Sequence, residues 1–242
     1  MKRRWVPFFL GAAVVVLLTT TPAVPLVLQS CSPPPPASDC TGSGESRFTS
    51  NDGGGGIDGC SPIIIDVSGQ GFVLTSAENG VRFDITGTGS LAHIAWTAPG
   101  VLNAFLVFDL NNDGLINNGT ELFGNFSPQP VSPIPNGFSA LAEFDKIDNG
   151  GNADGIVDSH DAVFSDLRLW IDLNHDGISQ QSELFKLPDL GVFSISLDYR
   201  ESRRTDEYGN LFRYRSKINV AAGQADDSSV SKMAYDVFLT TQ

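Results

Sequence analysis

The chain has 242 residues with 28 Asp and Glu against 15 Lys and Arg, a formal net charge of −13. That balance argues against a general nucleic-acid binder, whose affinity comes from cations laid against phosphates. At 41% hydrophobic residues, 16 of them phenylalanine, it also excludes a wholly disordered chain, which lacks the apolar side chains to build a core.

The first residues read as an export signal over 1–30. Lys2, Arg3 and Arg4 precede an apolar run from Phe8 to Leu18 that is too short to span a bilayer and is followed by Pro22 and Pro25. Thr21-Pro22-Ala23 offers a small-residue cleavage site, whereas Leu28-Gln29-Ser30-Cys31 resembles a bacterial lipoprotein box. On the second reading Cys31 is a lipid anchor, the chain's one expected contact with a membrane, and Cys40 and Cys60 remain as a pair able to bridge in an oxidising compartment. The expected location is secreted or in the cell envelope, periplasmic or extracellular. Residues 31–60 hold Pro33 to Pro36 and Gly53 to Gly56, a composition that cannot bury a core and reads as a disordered tether. Without the three signal cations, 12 Lys and Arg face 28 Asp and Glu, and divalent cations are the economical way to neutralise such clustered carboxylates.

Residues 61–242 suit one compact domain. Ile63-Ile64-Ile65 predicts a strand, Phe72 to Thr75 and Val81 to Ile85 predict two more, and Ala104 to Leu110 reads as a buried strand or a short helix. Gly137 to Phe144, Asp161 to Phe164 and Ser182 to Leu187 are the helix candidates. Val192 to Tyr199 and Asn210 to Arg215 alternate on either side of Tyr208-Gly209-Asn210 and predict a C-terminal hairpin, with Tyr235 to Leu239 as an edge strand. The expectation is an α+β fold: short strands and that hairpin around calcium loops of EF-hand type, with short helices grouped in the middle.

Calcium takes six to eight oxygen ligands, and a loop supplies them from short acidic or amide side chains at alternate positions around a glycine turn. Asp172 to Glu183 places Asp172, Asn174 and Asp176 at loop positions 1, 3 and 5 and Gly177 at 6. The Ile178 carbonyl, Gln180 and Glu183 fall at 7, 9 and 12, while Ser179 departs from the apolar residue expected at 8. Asp109, Asn111, Asp113, Leu115 and Asn117 repeat the early positions, but position 12 is Thr120, so Glu121 must close a loop one residue wider. The third loop offers Asn152, Asp154, Ile156, Asp158 and Asp161, with Asp148 or Asp145 looping back to fill position 1. The turns at Asp66 and Asp84 keep their glycines but lack carboxylates at positions 3 and 5, and are expected to hold no metal. His160 and His175 read as solvent-facing loop residues, and no GxSxG, HExxH or Walker pattern is present.

Pro62 to Asp66, Phe83-Asp84, Asp109 to Gly114, Gly119-Thr120-Glu121-Leu122-Phe123-Gly124, Asn136-Gly137-Phe138, and Leu167-Arg168-Leu169-Trp170 leading into Asp172 follow one another in a telling order. They resemble the calcium-dependent self-processing module of iron-regulated RTX-type proteins, and the related EF-hand-like domains of bacterial exported proteins, over about residues 61–220. The resemblance implies calcium-induced folding. In self-processing members it also implies cleavage of an Asp-Pro bond by attack of the Asp side chain on its own peptide carbonyl. Here that place is Ser61-Pro62, and a serine cannot form the cyclic anhydride. The expectation is an exported calcium-binding module without catalysis; the alternatives are a self-cleaving module and a surface adhesion protein cemented by calcium.

Overall fold

The structure is a computed structural model that describes residues 59–219 and 232–242. The export signal, Cys31 and nearly all of the tether lie outside these residues. Among the described residues no helix is long and apolar enough to cross a membrane.

The elements are β1 (Ile63–Asp66), β2 (Val81–Phe83), β3 (Ala92–Ile94), β4 (Asn103–Val107), α1 (Gly137–Leu141), β5 (Ile156–Asp158), β6 (Arg168–Trp170), β7 (Leu184–Lys186), β8 (Ser194–Ser196), β9 (Arg200–Thr205), β10 (Leu211–Lys217) and β11 (Met233–Phe238). Seven of them form one sheet in the order β7-β6-β4-β1-β11-β10-β9. Every pairing in it is antiparallel. Two small ladders, β2 with β3 and β5 with β8, flank it.

The sheet is covered on both faces, and this explains the unbroken apolar runs of its central strands. Ile63, Ile65, Ala104, Leu106 and Leu169 pack on one side with Phe138, Leu141, Val157, Phe164 and Ile195. Ile64, Phe105, Val107 and Trp170 pack on the other with Val81, Phe83, Ile94 and Trp96. A strand buried on both faces has no polar side to alternate with, so β4 reads the same as a buried helix by composition alone.

The expected α+β class is overturned: the protein is mostly β, with α1 as the one α-helix among the described residues. The middle segment breaks into 3-10 turns at Ala142–Asp145, Ile147–Asn149 and Ala162–Ser165. Asp, Asn and Gly recur there every few residues, and their side chains draw backbone amides away from the i→i−4 ladder. Ser182 to Leu187, expected as a helix, supplies the end of a 3-10 turn at Gln181–Glu183 and then β7. The C-terminal hairpin exists, but it joins β10 to β9 rather than to Val192–Tyr199, since β8 pairs with β5 instead. The expected edge strand is central: β11 sits between β1 and β10. Phe72–Thr75 makes only an isolated bridge, Leu74 to Thr97.

Candidate metal centre

The Asp172 loop is the tip of a β-hairpin. It leaves β6 after Trp170 and returns along β7, with Leu169 opposite Phe185 and Trp170 opposite Leu184. Strands, not helices, flank the loop, and this corrects the EF-hand expectation. Asp172 is 1% exposed; Oδ1 accepts the Asp176 amide at 3.2 Å, and Oδ2 accepts the Gly177 amide at 2.9 Å and the Trp96 indole N–H at 2.8 Å. Asn174 Oδ1 accepts the Asp176 amide at 3.1 Å, and Asp176 Oδ1 accepts the Ile178 amide at 2.8 Å. Gln180 Nε2 donates to Asp176 Oδ2 at 2.9 Å. Glu183, 4% exposed, closes the loop: Oε1 takes the Leu173 amide at 3.1 Å, and Oε2 takes the Trp170 indole at 3.3 Å and the Gln180 amide at 3.4 Å.

The Asp109 loop repeats this frame on β4. Asp109 accepts the Asp113 amide at 3.2 Å and the Gly114 amide at 2.8 Å; Asn111 accepts the Asp113 amide at 2.9 Å, and Asp113 the Leu115 amide at 2.9 Å. Asn117 Nδ2 donates to Asp113 Oδ2 at 2.9 Å, as Gln180 does to Asp176. Glu121 takes the amides of Leu110 at 3.3 Å and Asn117 at 2.7 Å, the same two loop positions that Glu183 takes. The extra residue before Glu121 therefore leaves the closing geometry intact. The returning segment runs beside β4, with Leu122 bridged to Val107.

In the third loop Asp145, not Asp148, takes the first position. Its carboxylate accepts the amides of Asp154 at 3.2 Å and Gly155 at 3.0 Å. Asp148 sits in the 3-10 turn Ile147–Asn149, away from the frame. Asn152 accepts the Asp154 amide at 3.1 Å, Asp154 the Ile156 amide at 2.9 Å, and Asp161 the amides of Asn152 at 3.2 Å and Asp158 at 2.8 Å. The His160 ring lies 2.8 Å from Asp158 Oδ1.

One backbone shape underlies all three. The residue two places before each loop glycine has a left-handed φ: Asn112 at 59°, Ala153 at 57° and His175 at 58°; Gly114, Gly155 and Gly177 follow at 83°, 83° and 70°. Non-glycine residues seldom adopt this conformation, so its threefold recurrence marks a common turn. His175 is not simply solvent-facing: its two ring nitrogens lie 2.9 Å from the Thr97 and Asn79 carbonyls, pinning the loop to the region of β2 and β3. The Asp66 and Asp84 turns keep the first part of the frame, Asp84 accepting the amides of Thr88 and Gly89 at 3.1 and 2.7 Å. The Ser68, Thr86 and Thr88 hydroxyls stand where the fuller loops carry amides and carboxylates.

Burial raises the Glu121 carboxyl pKa above its usual range, and the amides of Asn117 and Leu110 pull it back in part. Asp161 is raised for the same reason, opposed by the amides of Asp158 and Asn152. Among the described residues, no three His, Cys, Asp or Glu side chains stand together as a ready cage. The loops mix acids with Asn, Gln and carbonyl oxygens, an all-oxygen donor set that suits a hard cation and lacks the nitrogen and sulfur that zinc prefers. Trp96 and Trp170 were not among the site residues marked by spacing, since an indole N–H reaching a loop carboxylate has no sequence period; spacing left Asp145 and Asp148 both open, because Asp145 lies ten positions before its glycine instead of five.

These features define an antiparallel β domain that carries acidic, oxygen-rich loops. The chain belongs to the SPM domain family, which it matches over residues 63–235. It is also 38% identical over 165 residues to the iron-regulated protein FrpA of Neisseria meningitidis serogroup C, an alignment spanning 67% of this chain and 14% of that protein. The domain is thus FrpA-like and RTX-related.

Proposed function

We propose that this domain binds calcium through the Asp172, Asp109 and Asp145 loops, and that the ions rigidify an exported module that performs no catalysis. The observation that carries the reading is the shared frame: in each loop the first Asp, the Asn two or more places on and the closing acid are held in one arrangement by backbone amides. Bound calcium would supply charge neutralisation to carboxylates that otherwise repel one another across the loop. Asp172, Asn174, Asp176, the Ile178 carbonyl, Gln180 and Glu183 would hold one ion. Asp109, Asn111, Asp113, the Leu115 carbonyl, Asn117 and Glu121 would hold a second. Asp145, Asn152, Asp154, the Ile156 carbonyl, Asp158 and Asp161 would hold a third.

Cys60, fully buried, is disulfide-bonded, which supports residence in an oxidising compartment and so an exported chain. Ser61 supports the absence of self-cleavage. It is 2% exposed, its hydroxyl accepts the Asn125 amide at 3.1 Å, and it has no side-chain carboxylate with which to attack its own carbonyl. Melting the full chain with chelator and then with calcium at about a hundredfold excess over Kd tests the reading. A gain near 2.7 kcal/mol per site raises Tm by at least ~5 °C. An unchanged melting curve contradicts it. A calcium-dependent new amino terminus at Pro62 contradicts the non-catalytic part.

A further inference from the structure

The Asp109 and Asp172 loops leave opposite ends of neighbouring strands, because β4 and β6 are antiparallel, with Val107 opposite Arg168 and Phe105 opposite Trp170. They nevertheless meet. The residues that follow the carbonyl donor in each loop are Ile116, 3% exposed, and Ser179, also 3% exposed. The Ile116 amide donates to Ser179 Oγ at 2.7 Å, and Ser179 Oγ donates back to the Ile116 carbonyl at 3.4 Å. A single hydroxyl therefore satisfies both backbone groups of Ile116. An apolar side chain at 179 would leave a buried N–H unpaired, which is destabilising. This gives a physical reason for the one position at which the Asp172 loop departs from the expected pattern.

Each end of this bridge is one residue from a candidate donor on either side. Ile116 lies between the Leu115 carbonyl and Asn117, whose amide holds Glu121 at 2.7 Å. Ser179 lies between the Ile178 carbonyl and Gln180, whose amide reaches Glu183 at 3.4 Å. A shift of either loop's backbone on closing around an ion moves the other loop through this buried contact.

We infer that the two loops form one coupled calcium-binding unit, with the Ser179 hydroxyl as the coupling element. The inference rests on the calcium reading above and adds that the sites do not fill independently. Among the described residues no hydrogen bond of this kind joins the Asp145 loop to either of the other two, so the unit is a pair.

The full chain allows a direct test, because Trp96 and Trp170 donate to Asp172 and Glu183 and so report filling of that loop by fluorescence. Calcium chloride is titrated into wild type, Asp113→Asn, Ser179→Ala and the double variant. Crippling the Asp109 loop with Asp113→Asn shifts the calcium midpoint seen by the tryptophans at least about fivefold. In the Ser179→Ala background the same change shifts it less than about twofold. Ser179→Thr keeps the hydroxyl and restores the larger shift, which separates coupling from damage to folding. Equal shifts with and without the Ser179 hydroxyl, or no shift on Asp113→Asn, overturn the coupling while leaving calcium binding standing. Absence of any calcium-dependent fluorescence or heat in wild type overturns the calcium reading and the coupling with it.

Discussion

Trp96 shows how a core residue becomes part of a site. Its indole is fully buried, with its ring centroid 4.3 Å from Phe105 and 5.5 Å from Trp170, and the N–H that must find a partner there finds Asp172. Hydrogen bonds to a ligating carboxylate fix its orientation, and their loss commonly weakens metal affinity 10–100-fold. Trp96→Phe keeps most of the packing and removes the donor, so calcium affinity at the Asp172 loop is expected to fall about tenfold by fluorescence titration, with the Asp145 loop untouched. Asp145 and Asp148 give a second test at this scale. Asp145→Ala removes one bound calcium from the calorimetric count, whereas Asp148→Ala leaves the count unchanged; the reverse outcome assigns the first position to Asp148, the other residue that spacing allows.

At the scale of elements, the loops are hairpin tips and turns whose shape is set by positive φ. Gly177 has φ +70°, and a Cβ there would lie 2.9 Å from Val81 Cγ2. Gly114 has φ +83° with nothing within 4 Å. Gly177→Ala therefore combines backbone strain with a clash and is expected to cost about 2 kcal/mol, a fall of roughly 4–8 °C in Tm, while Gly114→Ala carries strain alone and costs less. The loops were legible because Asp, Asn and Gly at fixed spacing state their chemistry locally; β1 was legible as an apolar run and β2 as an alternating one, while β4 stayed open between strand and short helix. What flanks the loops was not. Glu183-Leu184-Phe185-Lys186 is amphipathic enough for a helix, and only pairing with Arg168–Trp170, a non-local contact, makes Leu184–Lys186 a strand. Met233–Phe238 likewise looks like an edge until β1, about 170 residues earlier in the chain, takes its other side.

At the scale of the molecule, one carboxyl lies at the junction of sheet, helix and amino-terminal entry. Asp236 is fully buried in β11; its Oδ2 accepts the Gly137 amide at 2.9 Å, and its Oδ1 has no hydrogen-bond partner among the described residues. Burial pushes its pKa up to about 6, opposed by the Gly137 amide, the Ser61 hydroxyl and the Arg213 guanidinium. A carboxyl raised on folding favours the native state while protonated: its contribution is present below pH ~4 and is lost as pH rises through ~6. A shift of this size corresponds to about 3 kcal/mol. Urea unfolding of the calcium-free chain is expected to show stability falling from pH 4.5 to 7, and Asp236→Asn to flatten that fall. A slope unchanged by the substitution would place the pH sensitivity elsewhere.

Calcium held by these loops is what the proposed function depends on. Titrating calcium chloride into the chelator-stripped full chain in a calorimeter tests it most directly. Saturable heat is expected for two or three ions with Kd of roughly 10⁻⁵ to 10⁻³ M, and far weaker heat with magnesium, which demands a small octahedral cage. Heat no greater than that of calcium injected into buffer would contradict it.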